Sequence, residues 1–331
     1  MHVILLHNEV SENPSIDEQD VLFQCDAVER ALSELGHTYA RLAVNLNLEN
    51  AARFIDEQQP DLVFNLVESL RGTDRLMPMA PLLFEAMGIP YTGASSQAIL
   101  ATSGKINAKR WMLSAGIPTP SWMTLQDPGW NGLRPEKAIL KAAWEHASFG
   151  ITDDSIVCCA AVSDQEIRDR LKRLEEQTGK QHFAEQFIDG REINITILAD
   201  AFEPVMMPAA EILFIDYPDD KPKIVGYAAK WSENTNEYQN TPRTFEFKSD
   251  ETPLLEQINM QARKCWDCFG LSGYARVDFR VDSAMQPWVL EVNANPCIAD
   301  DAGFAAAIEQ GNVPYVEAIR RIVDDASKRS R

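Results

Sequence analysis

The sequence predicts an α/β module with a parallel sheet, followed by two α+β modules. Two patterns carry that expectation. In the first ninety or so residues short apolar runs alternate with stretches of helical spacing, and strands alternating with helices imply a parallel sheet. From about residue 183 the strands are longer and alternate residue by residue in antiparallel style, with Glu192, Asn194 and Thr196 on one face and Ile193, Ile195 and Ile197 on the other. The composition permits this size of fold: 331 residues, 45% apolar and 24% charged, suffice for two or three packed modules.

The first strand spans residues 3–6 (Val-Ile-Leu-Leu), and further strands are expected at 62–66 and 89–91. Between the first two, Val21, Cys25, Val28, Leu32 and Leu35 recur at steps of four and three, one face of a helix. A second helix, 77–87, closes at Gly88. Ligands of such modules approach the carboxyl ends of strands, here near Asn8 and residues 67–69. The texture changes around 93–102. A helix over 105–115 ends at Gly116, where Pro118 and Pro120 bar its continuation. A strand at 138–141, a small polar loop at 145–150, a strand at 155–160 and a charged helix at 164–177 follow. Residues 216–244 are polar and irregular, the pattern of an active-site cover or a disordered stretch. A helix to Phe269, two strands and a helix near 313–326 complete the chain. The expected division is 1–94, 95–184 and 185–331.

Several function classes are excluded. Fifty acidic against 31 basic residues, a formal charge of −19, argue against nucleic acid and anionic lipid as partners. No apolar run approaches the ~20 residues needed to span a bilayer, and the N-terminus lacks the basic segment of a signal peptide. Six cysteines in this length do not form a disulfide framework. Cys265-Trp266-Asp267-Cys268 lies in a helical pattern with no second pair or histidine to complete a zinc site, and reads as buried helix thiols. The expected location is cytoplasmic.

The chemistry concentrates in Gly273-Tyr274-Ala275-Arg276-Val277-Asp278-Phe279 and Trp288-Val289-Leu290-Glu291-Val292-Asn293. Strand alternation puts Arg276 and Asp278 on one face, and Glu291 with Asn293 opposite Leu290 and Val292. Two readings are open on spacing alone: a cross-strand Arg–Asp pair, or an all-oxygen site of the kind that suits Mg²⁺ completed by phosphates. A Mg-nucleotide site also needs cations for the remaining phosphate oxygens. Neither G-x-x-x-x-G-K-[ST] nor a strand-linked G-x-G-x-x-G is present, so separated lysines such as Lys105, Lys141 and Lys230 must provide that grip.

That combination resembles the ATP-grasp superfamily, and within it the D-alanine–D-alanine ligase family. The matching runs come in the family's order: Gly88-Ile89-Pro90-Tyr91-Thr92-Gly93, Ser103-Gly104-Lys105, Ala115-Gly116-Ile117-Pro118-Thr119-Pro120, Ile139-Leu140-Lys141, Glu185-Gln186-Phe187-Ile188-Asp189-Gly190-Arg191-Glu192, Ala229-Lys230, Arg276-Val277-Asp278 and Glu291-Val292-Asn293. The resemblance implies an ATP-grasp fold, with a Rossmann-like module ahead of two α+β modules that sandwich ATP. It implies that Lys105 and Lys141 hold the α- and β-phosphates and Lys230 the γ-phosphate. Glu185, Gln186, Phe187 and Ile188 would form the adenine hinge, and Glu192 would bind ribose. Asp278, Glu291 and Asn293 would carry two Mg²⁺ ions (Mn²⁺ being an alternative), Arg276 would stabilise the oxyanion, and Ser148 would belong to the loop over the phosphates. A homodimer is also implied.

The substrate positions depart from the family. Its Glu, Ser and Tyr trio for the first alanine aligns with Gln19, Ala147 and Trp231, and a family histidine aligns with Glu68. After the metal asparagine the chain reads Ala294-Asn295-Pro296-Cys297-Ile298-Ala299-Asp300-Asp301-Ala302-Gly303, with Cys297 for a glycine and Ala302 for a serine that grips the second alanine's carboxylate. The added acids Glu68, Asp300 and Asp301 suit a cationic acceptor. The expectation is therefore an ATP- and Mg-dependent carboxylate–amine ligase acting through an acyl phosphate, with small-molecule substrates other than a D-alanine pair. Three alternatives stay open: a true D-alanine–D-alanine ligase, a non-catalytic nucleotide-binding protein, and a phosphotransferase sharing the first half-reaction.

Overall fold

The computed structural model describes residues 1–12, 14, 16–145, 150–218, 221–226 and 235–329. Strands β1 (His2–Asn8), β2 (Thr38–Val44) and β3 (Leu62–Leu66) form a parallel sheet in the order β2-β1-β3, joined by α1 (Ile16–Glu34) and α2 (Leu48–Gln58). Because the chain crosses from one side of β1 to the other, a crevice opens at the carboxyl ends of β1 and β3. There the Glu68 amide donates to Asn8 Oδ1 at 3.2 Å. The strand expected at 89–91 is a single parallel bridge from Tyr91 to Val63. β2 and α2 lie outside the sequence expectations. β2 is a mostly exposed edge strand whose Thr-Tyr-Ala-Arg run shows no buried stripe.

After α3 (Met79–Met87), α4 (Ser96–Ser103) and α5 (Lys105–Ser114), a second sheet pairs antiparallel strands in the order β4-β7-β5-β6. Its strands are β4 (Trp122–Met123), β5 (Lys137–Ala142), β6 (Ile156–Cys158) and β7 (His182–Gln186). β6 is shorter than the expected 155–160 because Asp153–Ser155 is a 3₁₀ turn. Helix α6 (Asp164–Thr178) starts on a reciprocal Ser163–Glu166 capping box and ends at Gly179 in the left-handed conformation, and it buries Ile167 and Leu171.

The third sheet is antiparallel, in the order β11-β10-β8-β12-β13 with β9 also on β8. Its strands are β8 (Arg191–Leu198), β9 (Val205–Met206), β10 (Ala210–Ile212), β11 (Arg243–Thr244), β12 (Tyr274–Val281) and β13 (Pro287–Asn293). One face buries Ile193, Ile195, Ile197, Val277 and Phe279 against α7 (Thr252–Phe269) and helices α4 and α5. Cys265 sits in this core, and both it and Cys268 are free thiols, as the helical spacing predicts. A Cβ added at Gly190 would lie 2.0 Å from the Val281 carbonyl oxygen, so only glycine lets the turn into β8 lie against the end of β12. The last helices, α8 (Gly303–Gln310) and α9 (Tyr315–Arg329), return to the first sheet, where Ile319, Ile322 and Val323 join Leu5, Val28 and Phe64 in one core.

Strand alternation fails at one point. The β12–β13 register runs Arg276↔Asn293, Val277↔Val292 and Asp278↔Glu291, then jumps to Phe279↔Val289. Leu290 is the extra residue of this bulge. It turns to the same side as Glu291 rather than the opposite one.

Candidate active site

A cleft of about 950 Å³ lies between the second and third sheets and is closed at one end by the crevice of the first. That volume falls in the ordinary range for small-molecule and cofactor sites. Strands β5 and β7 supply Lys141, Glu185 and Gln186, and the chain just beyond β7 supplies Phe187 and Ile188. β8 supplies Glu192 and Asn194, β12 supplies Arg276, Asp278 and Arg280, and β13 supplies Glu291 and Asn293.

At the end bounded by β7 the cations are already engaged. The buried Glu185 carboxylate is 2.5 Å from the Lys109 ammonium and ion-paired with Lys141 as well. Burial alone would neutralise that carboxyl, but the charges of Lys109 and then Lys141 outweigh it and hold Glu185 below the usual carboxylate range. Lys109, absent from the sequence expectations, is fully buried and also donates to Thr119 Oγ1 at 2.7 Å. Lys105, the first residue of α5, lies 3.0 Å from Glu291 and donates to the Glu145 carbonyl at 2.8 Å. Gln186 and Phe187 donate their N–H groups to Ser121 and Lys137 carbonyls, while the Ile188 N–H meets no acceptor among the described residues. Arg280 donates to the Ile188 carbonyl at 3.1 Å, lies 3.2 Å from Glu192, and stacks on Phe187.

The central set is held together by its own bonds. Arg276 grips Asp278 bidentately, Nε to Oδ1 at 2.7 Å and Nη2 to Oδ2 at 2.9 Å, and its Nη1 has no partner among the described residues. Asn194 donates to Asp278 Oδ1 at 2.7 Å and Asn293 Nδ2 to Oδ2 at 3.2 Å. The Asn293 amide oxygen is thereby turned away from Asp278. Two carboxylates and one amide oxygen match the oxygen-only donor set that Mg²⁺ takes when phosphates and water complete its shell. Among the described residues no cluster of three His, Cys, Asp or Glu side chains has the geometry of an all-protein metal site. The residues thus fit a metal that arrives with phosphates.

The far end is lined by acids. Glu68 accepts from Gln24 Nε2 at 2.8 Å, and burial, followed by the charge of Asp20, pushes its carboxyl up to about 8. Cys297 lies on the same wall, its thiol raised well above the ordinary value by burial and then by Glu68 and Asp20. Asp301 also lines the cleft.

Two expected substrate residues are corrected. Gln19 does not line the cleft: its amide donates to the Pro14 carbonyl at 3.0 Å, and its neighbours Glu18 and Asp20 face the cavity instead. Successive helix residues differ by about 100° in direction, and the stripe of Val21, Cys25 and Val28 extended back one turn reaches Glu18. Asp300 is exposed and ion-paired with Arg30, outside the cleft. Ser148, Lys230 and Trp231, with Ala147, lie outside the described residues. The irregular stretch 216–244 also supplies a lining residue that spacing could not reveal, Arg243 on β11.

A family model described as the D-ala D-ala ligase C-terminus matches residues 111–324. The chain belongs to the D-alanine–D-alanine ligase family. As a member it is an ATP-dependent, ADP-forming enzyme of the C–N bond-forming ligase class. A D-alanine–D-alanine ligase of Carboxydothermus hydrogenoformans is 27% identical over 310 residues, 90% of each chain. An uncharacterized protein, y4sG, of Sinorhizobium fredii is 26% identical over 311 residues, 92% of this chain and 87% of that one. The crystal structure of a D-alanine–D-alanine ligase from Bacillus anthracis complexed with ATP superposes with a TM-score of 0.73 over 100% of this chain and 98% of that one, at 19% identity. The fold is that of the ATP-grasp ligases.

Proposed function

We propose that the chain condenses a carboxylate with an amine at the expense of ATP and Mg²⁺, through an acyl phosphate, and that its substrate pair differs from two D-alanines. The observation that carries the reaction is the convergence of Arg276, Asp278, Glu291 and Asn293 with Lys105 and Lys141 around one cleft. Bound nucleotide and metal supply the phosphoryl group and the charge neutralisation for its transfer. The protein's own groups do the rest. Lys105 and Lys141 bring ammonium groups to the phosphate path, with Glu145, Glu185 and Glu291 aiming them. The free N–H of Ile188 reads the base edge, and Glu192 the ribose. Asp278, Glu291 and the Asn293 amide oxygen hold the metal. Arg276, locked by Asp278, leaves Nη1 to meet the oxyanion formed when the amine attacks the activated carbonyl. Ser148 and Lys230 join this set from the covering loops and keep water from the acyl phosphate.

The different substrate pair rests on the acid wall. Glu68 stands where the family carries a histidine, Cys297 where it carries a glycine, and Ala302 where it carries a serine; Glu68 and Asp301 suit an ammonium-bearing substrate, and Trp231 would bound it. A second reading, a true D-alanine–D-alanine ligase, is favoured by Asp20 and Glu18, which place acids where Gln19 had suggested their loss. The three-module division at 94/95 and 184/185, two Mg²⁺ ions, a homodimer and a cytoplasmic setting belong to the same proposal.

The test is ADP release with Mg²⁺ against crossed pools of amino acids of both hands, dipeptides and simple amines, with mass spectrometry of active wells. A condensed product from a pair other than D-alanine is expected. Turnover of D-alanine alone, giving its dipeptide, would sink the claim of a different pair. Nucleotide binding without turnover in any well would sink the ligase reading.

A further inference from the structure

Arg243 stands on the edge strand β11 and lines the catalytic cleft. Its guanidinium lies against the first turn of α8: a Cβ added at Gly303 would sit 3.1 Å from Arg243 Nη2, so the close approach depends on glycine. The side chain makes no hydrogen bond or ion pair among the described residues, although Asp301 lines the same cavity two residues before Gly303. The surroundings are electropositive. Desolvation, and then the charge of Arg276, pull the Arg243 guanidinium below its ordinary pKa. The N-terminus of α8 carries positive partial charge. Ala302 at its cap position accepts no hydrogen bond, and the N–H groups of residues 303–305 meet no acceptor among the described residues. An arginine beside a second arginine and a helix N-terminus is repelled by both. A local conflict of this kind at a functional site marks a group that the bound ligand supplies.

We infer that Arg243 is a specificity residue that receives the carboxylate of the amine substrate, between its own guanidinium, Arg276 Nη1 and the first turn of α8. The lysines that face the phosphate path lie with Glu185 and Glu291, so the anion at Arg243 is a substrate group and not the nucleotide's phosphates. A planar guanidinium matches a carboxylate in two parallel hydrogen bonds. The acceptor is thus an amino acid or peptide with a free carboxylate, which refines the cationic acceptor expected from Asp300 and Asp301. This inference rests on the ligase reading for its kinetic arm and on the cleft alone for its binding arm.

In the kinetic arm the amine substrate found in the pool screen is compared with its carboxamide in wild type, Arg243→Met and Arg243→Lys. Wild type is expected to prefer the acid, and R243M to raise the KM for the acid about 10- to 100-fold while leaving the carboxamide and the KM for ATP unchanged; R243K recovers part of the loss. An unchanged preference in R243M overturns the inference. In the binding arm, melting temperatures are read in sodium acetate against sodium chloride at equal ionic strength. Acetate is expected to stabilise wild type and not R243M, and R243M without acetate is expected to melt above wild type because the repulsion is gone. Melting of R243M below wild type in chloride, or no acetate effect on wild type, overturns the inference. Absence of turnover with every pair defeats the ligase reading, and the acetate arm still decides Arg243.

Discussion

At Glu68 a carboxyl group sits on the cleft wall against the Gln24 amide and near Asp20, and its pKa is raised to about 8, first by burial and then by Asp20. The unfolded chain releases this proton in the ordinary carboxylate range, whereas the folded protein keeps it to about 8. Its contribution to stability is therefore full below the ordinary carboxylate range and is lost as pH rises toward 8. Glu68→Gln removes the titration while keeping the hydrogen-bonding shape. Relative to wild type, its stability in urea should rise between about pH 5 and pH 8 by on the order of 2 kcal/mol and stay level above that; a difference flat across that range would refute the raised pKa. Residue identity made Glu68 legible from the chain, because it sits at a strand's carboxyl end. Lys109 was not legible, since the partner that makes its charge tolerable in a dry core, Glu185, lies on β7, far along the sequence.

Among the elements, those with a buried stripe and a defined stop were readable. α6 shows Ser163 and Glu166 at cap spacing, a buried pair Ile167 and Leu171, and Gly179 at its end. Ser163→Ala should cost about 1 kcal/mol of stability by loss of that cap, measured by urea denaturation, with the KM for ATP unchanged. A cost indistinguishable from zero would mean that the cap adds nothing to this helix. Elements lacking a stripe escaped notice: β2 is largely exposed, and α4 is buried on nearly every side, so neither shows an amphipathic period. The bulge at Leu290 was also hidden. Alternation assumes an unbroken ladder, and the extra residue appears only when β13 is paired with β12. Its effect is local but reaches the chemistry, because it presents an apolar side chain to the cleft beside Glu291.

For the whole molecule, the chain's two ends share a core. Helix α9 brings Ile319, Ile322, Val323 and Ala326 against α1 and the parallel sheet, whose Leu5, Val28 and Phe64 they cover. Truncation after Pro314 should therefore uncover the first sheet and yield aggregated protein rather than a folded shorter ligase, since several fully buried aliphatic side chains, each worth about 2 kcal/mol or more, are removed at once. A soluble, monodisperse truncated protein with a cooperative melt, judged by light scattering and circular dichroism, would show that the sheet stands without α9.

By itself the amino-acid order determined the fold class, the phosphate lysines, the hinge run and the Arg-x-Asp and Glu-x-Asn strands, because each is a short pattern whose chemistry depends on near neighbours. Only the tertiary structure decided which acids face the substrate. Glu18 and Asp20 replaced Gln19 through the rotation of one helix, Asp300 left for Arg30, and Arg243 entered from an irregular stretch. The physical reason is that a cleft wall is assembled from elements far apart in the chain, and a shift of one residue on a helix or strand, invisible in composition or spacing, turns a side chain from the ligand to the solvent.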